Sequence, residues 1–364
     1  MKKFWSKFHP CIILTLIIFI SNVPMIYAVM QAWGDMILVI DILRIAIPLL
    51  VVPLKYIIVR WKRTVLLSIV NMMAEDWMTF KLDSERAVMI KRARTGRLIM
   101  IVGYVIAITA IVTVVTPTYF GIQVMRVTNF TDGNKALLLD TYPFYDTDKS
   151  PQFELTFFFQ TITLLLAITI YMTVDIFLLL IILHICGQLE NFRYRLIRLV
   201  SCKNFNNTLN NIIASHLRLI RFIDNIENAY SLMMLILLFY FALVFCLSGF
   251  LFTIILNERK NEAIVTQVYF SIIHFTILLM NTLVYCSAGE LILKQCDAVH
   301  RATCDLEWYK LESRKARSLI LLMIRTHHPL RITAGKIIPL TMATFCSILK
   351  TSSGYISFLL TKHG

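Results

Sequence analysis

Charge is scarce in this chain. Asp, Glu, Lys and Arg make up only 16% of its 364 residues, against 58% hydrophobic, so a water-soluble globule of this length would leave wide apolar areas exposed. The HExxH, GxSxG, P-loop and dinucleotide-binding patterns are absent, and no acids, bases or metal ligands converge as an enzyme requires. The sequence therefore reads as a non-enzyme with no cofactor and no metal. His327 and His328 are neighbours, and neighbours on a helix point in different directions, which suits a solvated pair rather than metal ligands. There are eight cysteines, but no outer connection holds two of them, so no disulfide framework is implied. The net charge of +14 comes from basic residues scattered between apolar runs. They form no compact patch or motif of a nucleic-acid binder, and no nucleic-acid partner is expected. No internal repeat or low-complexity tract stands out.

What the chain does have is long apolar runs. Seven stretches can span a hydrocarbon core as helices of about 20 residues: 11–33, 36–59, 98–122, 155–184, 229–256, 264–292 and 337–361. They are continuously apolar and lack the alternation of membrane strands, so an all-α membrane protein is predicted. The connections on one side hold 27 Lys and Arg, and those on the other hold 6. The positive-inside rule then places the N-terminus in the cytoplasm and the C-terminus outside. The sequon at Asn129 falls in an outer connection and is the expected glycosylation site, whereas the sequon at Asn206 falls on the inner side. The opening MKKFWSKFHPCIILTLIIFI, with small Ala28 beyond it, also has the build of a signal peptide. Its apolar run continues to about Trp33, which favours a retained span.

Seven spans invite comparison with G-protein-coupled receptors, but the inverted charge bias and the lack of an acid-arginine-tyrosine motif or an NPxxY box argue against them. The chain instead resembles the insect odorant receptor family. The resemblance rests on YPFYDTDKSPQFELTFFFQ (142–160), HICGQLENFRYRL (184–196), GELILKQCDAVHRATCDLEWYKL (289–311) and RTHHPLRITAGKIIPLTMATFCSILKTSSGYISFLL (325–360), in that order over essentially the whole chain. Ser353 and Gly354 depart from the bulkier tail usual in the family, and no glutamine follows Tyr355 as in the related gustatory receptors.

The resemblance implies a subunit of an odorant-gated cation channel. Such a subunit assembles with a shared co-receptor into a tetramer, binds a small volatile ligand in its outer half, and resides in the plasma membrane of a sensory dendrite. It further implies that residues 185–228 and 293–336 prolong the spans into a cytoplasmic anchor, so that residues 1–364 form one seven-helix domain. The alternatives are a metabotropic or gustatory-type chemoreceptor, or a small-molecule transporter. A transporter would be favoured by an inverted repeat or by matched broken helices, which the sequence lacks.

Helical spacing gives the candidate residues. Asp41 and Arg44 stand at i, i+3 in the second span, where a lone charge costs about 3 kcal/mol and pairing is expected. Asp175 has no partner in its own helix and is expected to face the bundle interior against a neighbouring hydroxyl. A ligand pocket is sketched from Asp41, from Thr113, Thr116 and Phe120 on the third span, from Phe159 and Thr163 on the fourth, and from Tyr269 and Ile273 on the sixth. Its walls would be aromatic and aliphatic with a few hydroxyls. On the last span Thr344, Ser347, Thr351, Tyr355 and Phe358 fall within one arc of about 120°. A helix lining a narrow water path needs such a stripe, although small residues also serve helix packing. By place in the family pattern, Phe358 or its neighbour Leu359 is the candidate gate.

Overall fold

The computed structural model describes residues 11–79, 82–120, 137–139, 150–199, 204–257 and 262–363. Among them, nine helices follow one another: α1 (Cys11–Gln31), α2 (Met36–Trp61), α3 (Arg63–Met78), α4 (Asp83–Tyr119), α5 (Gln152–Arg198), α6 (Phe205–Asn257), α7 (Glu262–Cys304), α8 (Ser313–Thr326) and α9 (Met342–His363). A two-stranded antiparallel hairpin, β1 (Thr333–Ala334) and β2 (Ile338–Pro339), precedes α9. The fold is thus an all-α membrane bundle. The third connection, with Asn129, lies outside the described residues.

Six helices, α1, α2, α4, α5, α6 and α7, are long and apolar enough to cross a membrane. α9 has 22 residues, about 33 Å at 1.5 Å per residue, which is enough to span. Its hydroxyls and Lys350 make it less apolar than the other six. Local signals set the helix ends. Asp35 caps α2 by accepting from the amides of Ile37 (3.1 Å) and Leu38 (3.2 Å), which satisfies two otherwise orphan donors. In α1 a π-helical turn at Ile17–Asn22 precedes Pro24, which has no amide proton to give.

The expected spans all occur as helices, but α4, α5, α6 and α7 run further at the basic end of the bundle than 20-residue windows suggest. α5 has 47 residues, α6 53 and α7 43, so each is about 65 to 80 Å long against a hydrocarbon core of about 30 Å. α4 begins at Asp83, 15 residues before the expected 98. Its polar first turns are helical because they clamp onto the extension of α5. Arg195 grips Glu85 through two bonds (2.6 and 2.8 Å), and Arg92 meets Glu190 at 2.7 Å. The last span starts late, at Met342, because residues 337–341 belong to the hairpin and the turn after it.

The largest apolar core fills the basic end of the bundle and continues into the spans, to Val51, Val174 and Phe245. Ile181, Ile185, Leu189 and Phe192 of α5 pack there with Phe222, Ile226 and Tyr230 of α6, Ile292 of α7, and Leu319 and Leu322 of α8. α3 is fastened to the same end, with Asp76 bonded to His184 (2.9 Å) and Arg218 (3.0 Å). The opposite half is looser and apolar outside: Leu98, Ile101, Val105, Ile108 and Val112 of α4 all face outward. An apolar face of that extent suits lipid rather than water.

Candidate functional site

The terminal segment is held by two docking points. After β1 the chain turns with Gly335 at φ 63° and Lys336 at φ 61°, backbone that favours glycine. A side chain at residue 335 would also press on Leu235. The Gly335 amide donates to the carbonyl of Ser231, and the Lys336 amide to the Ser231 hydroxyl, each at 2.9 Å. The second point lies on α7. A Cβ at Gly289 would overlap the carbonyl of Leu340, so glycine there admits the chain leading to α9. The adjacent Glu290 accepts from the Met342 amide at 3.4 Å, at the helix start where orphan amides need an acceptor.

α9 then shows two faces. On one, Ser352 is buried and bonds to the Ala242 carbonyl of α6 (3.3 Å), while Leu359 and Leu360 pack on the Phe250 and Leu251 cluster. On the other, Ser347, Thr351, Tyr355 and Phe358 are exposed, the last two by 59% and 63%. Thr344 is half-buried at the hairpin, bonded to the Pro339 carbonyl (2.6 Å). Apart from Thr344, the predicted stripe therefore lies on a side that the described residues leave exposed. Of the two gate candidates, Phe358 lies on that open side and Leu359 on the packed one. Gly354 also has nothing within 4 Å of an added Cβ.

The pocket candidates are more dispersed. Asp41 is buried and paired with Arg44 at 2.7 Å, and Arg44 reaches Ser271 of α7 at 3.1 Å. Ser248 of α6 and His274 of α7 meet at 3.3 Å nearby. This outer-half polar cluster joins α2, α6 and α7, and Ile273 is its half-buried neighbour on α7. Thr163 is buried but returns its hydroxyl to the carbonyls of Phe159 (2.9 Å) and Gln160 (3.0 Å). Thr113 does the same within α4. Thr116, Phe120, Phe159 and Tyr269 are exposed, each of the three rings in edge contact with an adjacent aromatic neighbour. α4 packs along α5, so its candidates share a neighbourhood with those of α5, which in turn packs on α2 and α7, the helices of Asp41 and Ile273.

Two features escaped the sequence reading. Gln160, one residue from Phe159, is buried and brackets Leu139 of the outer connection, accepting from its amide and donating to its carbonyl, each at 3.2 Å. Deeper, Asp175 does face the interior and bonds the Tyr285 hydroxyl, as expected; the partner not foreseen is an ammonium, Lys55 of α2, at 2.5 Å. Lys55 also donates to the Tyr285 hydroxyl (3.2 Å) and lies 3.3 Å from the Tyr171 ring centre. The signal was Lys55 itself, a cation inside the apolar run VVPLKYIIV.

A family profile described as "7tm Odorant receptor" matches residues 35–353. The chain belongs to this odorant receptor family. Among curated proteins this odorant receptor is 25% identical to Odorant receptor 47a of Drosophila melanogaster over 184 residues, 48% of this chain and 46% of that one. It is 24% identical to Odorant receptor 10 of Aedes albopictus over 224 residues, 60% and 58% of the two chains. The matches span about half the length of these relatives. Its fold is that of the insect olfactory receptor OR5 from Machilis hrabei, solved both alone and with eugenol. The eugenol complex aligns with a TM-score of 0.82 over 96% of this chain and 88% of that one, at 14% identity. Within the receptor, two of the motif stretches that carry the resemblance contact each other, and a third anchors neighbouring helices. Gly289 and Glu290 of one stretch receive Leu340 and Met342 of another, and His184, Glu190 and Arg195 of a third hold α3 and α4.

Proposed function

We propose that this odorant receptor is a subunit of an odorant-gated, non-selective cation channel, assembled with a co-receptor in the plasma membrane of a sensory neuron. Its N-terminus is cytoplasmic and its C-terminus outside, as the 27 to 6 division of basic residues favours. The observation that carries the channel reading is the open face of α9, where Ser347, Thr351, Tyr355 and Phe358 are exposed among the described residues. Hydroxyls set out on an uncovered helix face in a membrane suit a water path between subunits, with Phe358 as the constriction. A volatile, mostly apolar ligand binds in the outer half near Asp41, Thr163 and Ile273, with Thr113, Thr116, Phe120, Phe159 and Tyr269 as further contacts. Asn129 carries the glycan.

Cells expressing the receptor with its co-receptor are expected to give odorant-evoked cation current when guanosine 5′-O-(2-thiodiphosphate) in the recording pipette blocks G proteins. Current that disappears under this block means a metabotropic receptor instead.

A further inference from the structure

The Lys55 and Asp175 pair is only part of a larger polar cluster. Its members come from four helices: Lys55 from α2, Tyr171 and Asp175 from α5, Tyr230 from α6, and Tyr285 from α7. Lys55 lies 14 residues inward of Asp41 on one helix, about 21 Å away, so the cluster is separate from the outer-half ligand site proposed above. The ammonium is saturated by the Asp175 Oδ1 oxygen, the Tyr285 hydroxyl and the Tyr171 ring face.

The Tyr285 hydroxyl also bonds the Asp175 carboxylate, but three other polar atoms around the pair are not satisfied. The second carboxylate oxygen, Asp175 Oδ2, and the hydroxyls of Tyr171 and Tyr230 are all buried without a hydrogen-bond partner. Buried polar atoms are nearly always bonded, and each one left over costs free energy. Three such atoms around a single ion pair, lined by one acceptor and two hydroxyls, define what would fit between them. A guest must donate to the carboxylate oxygen and accept from a phenol, which a hydroxyl does with one atom. A second cation would meet Lys55, and an anion would meet Asp175, so charged guests are disfavoured on both counts.

We infer that Asp175, Tyr171 and Tyr230 form a binding site for a small neutral hydroxylic molecule midway along the long helices of the bundle. Its hydroxyl belongs either to water or to a short alcohol. The site joins α5 and α6 through the guest and shares its carboxylate with α2, so occupancy fastens these helices to one another.

The full-length receptor in lipid nanodiscs tests the inference without any current being recorded. Tyr230→Phe removes only a hydroxyl. If that hydroxyl is bonded to a guest, its loss lowers the midpoint of thermal unfolding by about 2 °C, and Tyr171→Phe does likewise. A high-resolution map then has density within hydrogen-bond distance of Asp175 Oδ2 and one of the phenols. Density in alcohol-free buffer identifies water. Density only in 1-propanol, together with protection of the wild type but not of Tyr230→Phe by that alcohol, identifies an alcohol site. If both tyrosine variants melt at or above the wild-type temperature and no density is seen under either condition, the site does not exist. Because the readouts are structural, this result is distinguishable from failure of the channel reading, which is judged by current.

Discussion

Lys55 is the residue that binds the membrane helices to one another across the sequence. It meets Asp175 from 120 residues away, in a place where each charge is tolerable only because of the other. Lys55→Met leaves the carboxylate buried and unpaired, at a cost of roughly 3–5 kcal/mol. The double variant Lys55→Met with Asp175→Leu removes both charges and is expected to recover most of that loss. Thermal melting of the detergent-solubilised receptor checks this, and a double variant no better than the single one would show that the pair adds stability beyond charge balance. Part of the arrangement was legible beforehand: the Asp41 and Arg44 pair followed from helical spacing alone. The Lys55 and Asp175 pair did not, because a lysine near the inner end of a span ordinarily snorkels to the headgroups, and spacing along one helix says nothing of a partner on another.

At the scale of elements, the family resemblance already implied that the fourth span is prolonged past residue 184, as α5 is to Arg198. The early start of α4 was hidden, because its first turns are polar and are held by Glu85 and Arg92 meeting α5. Side-chain pairing between helices leaves no local periodic trace. The hairpin before α9 was likewise invisible to a hydropathy window. The seating of α9 depends on glycine at one position and tolerates change at another. Gly289→Ala sets a methyl against the Leu340 carbonyl and is expected to cut odorant-evoked current at least ten-fold at unchanged surface level. Gly354→Ala enters open space and removes a helix penalty of up to about 1 kcal/mol, so current should persist. Surface biotinylation alongside current recording separates the two effects, and equal currents in both variants would count against the docking role of Gly289.

For the whole molecule, the division of labour follows from where each kind of residue can be buried. The basic end holds the dense core and the inter-helix ion pairs, while the outer half offers lipid a broad apolar wall. Between these, α9 is fixed along one side and bare along the other. That contrast within one helix is sharper than the sequence alone allowed, because small hydroxyls serve packing and pore equally well. Ser352 proves to be a packing hydroxyl, whereas Thr351 beside it is not covered. The most direct test is modification of cysteines placed at these two neighbours, with a membrane-impermeant methanethiosulfonate ammonium reagent applied from outside to the receptor assembled with its co-receptor. Inhibition of odorant-evoked current at Thr351→Cys, with Ser352→Cys behaving as the wild type, is the predicted result. Inhibition at Ser352→Cys alone, or at neither position, would contradict a pore lined by the open face of α9.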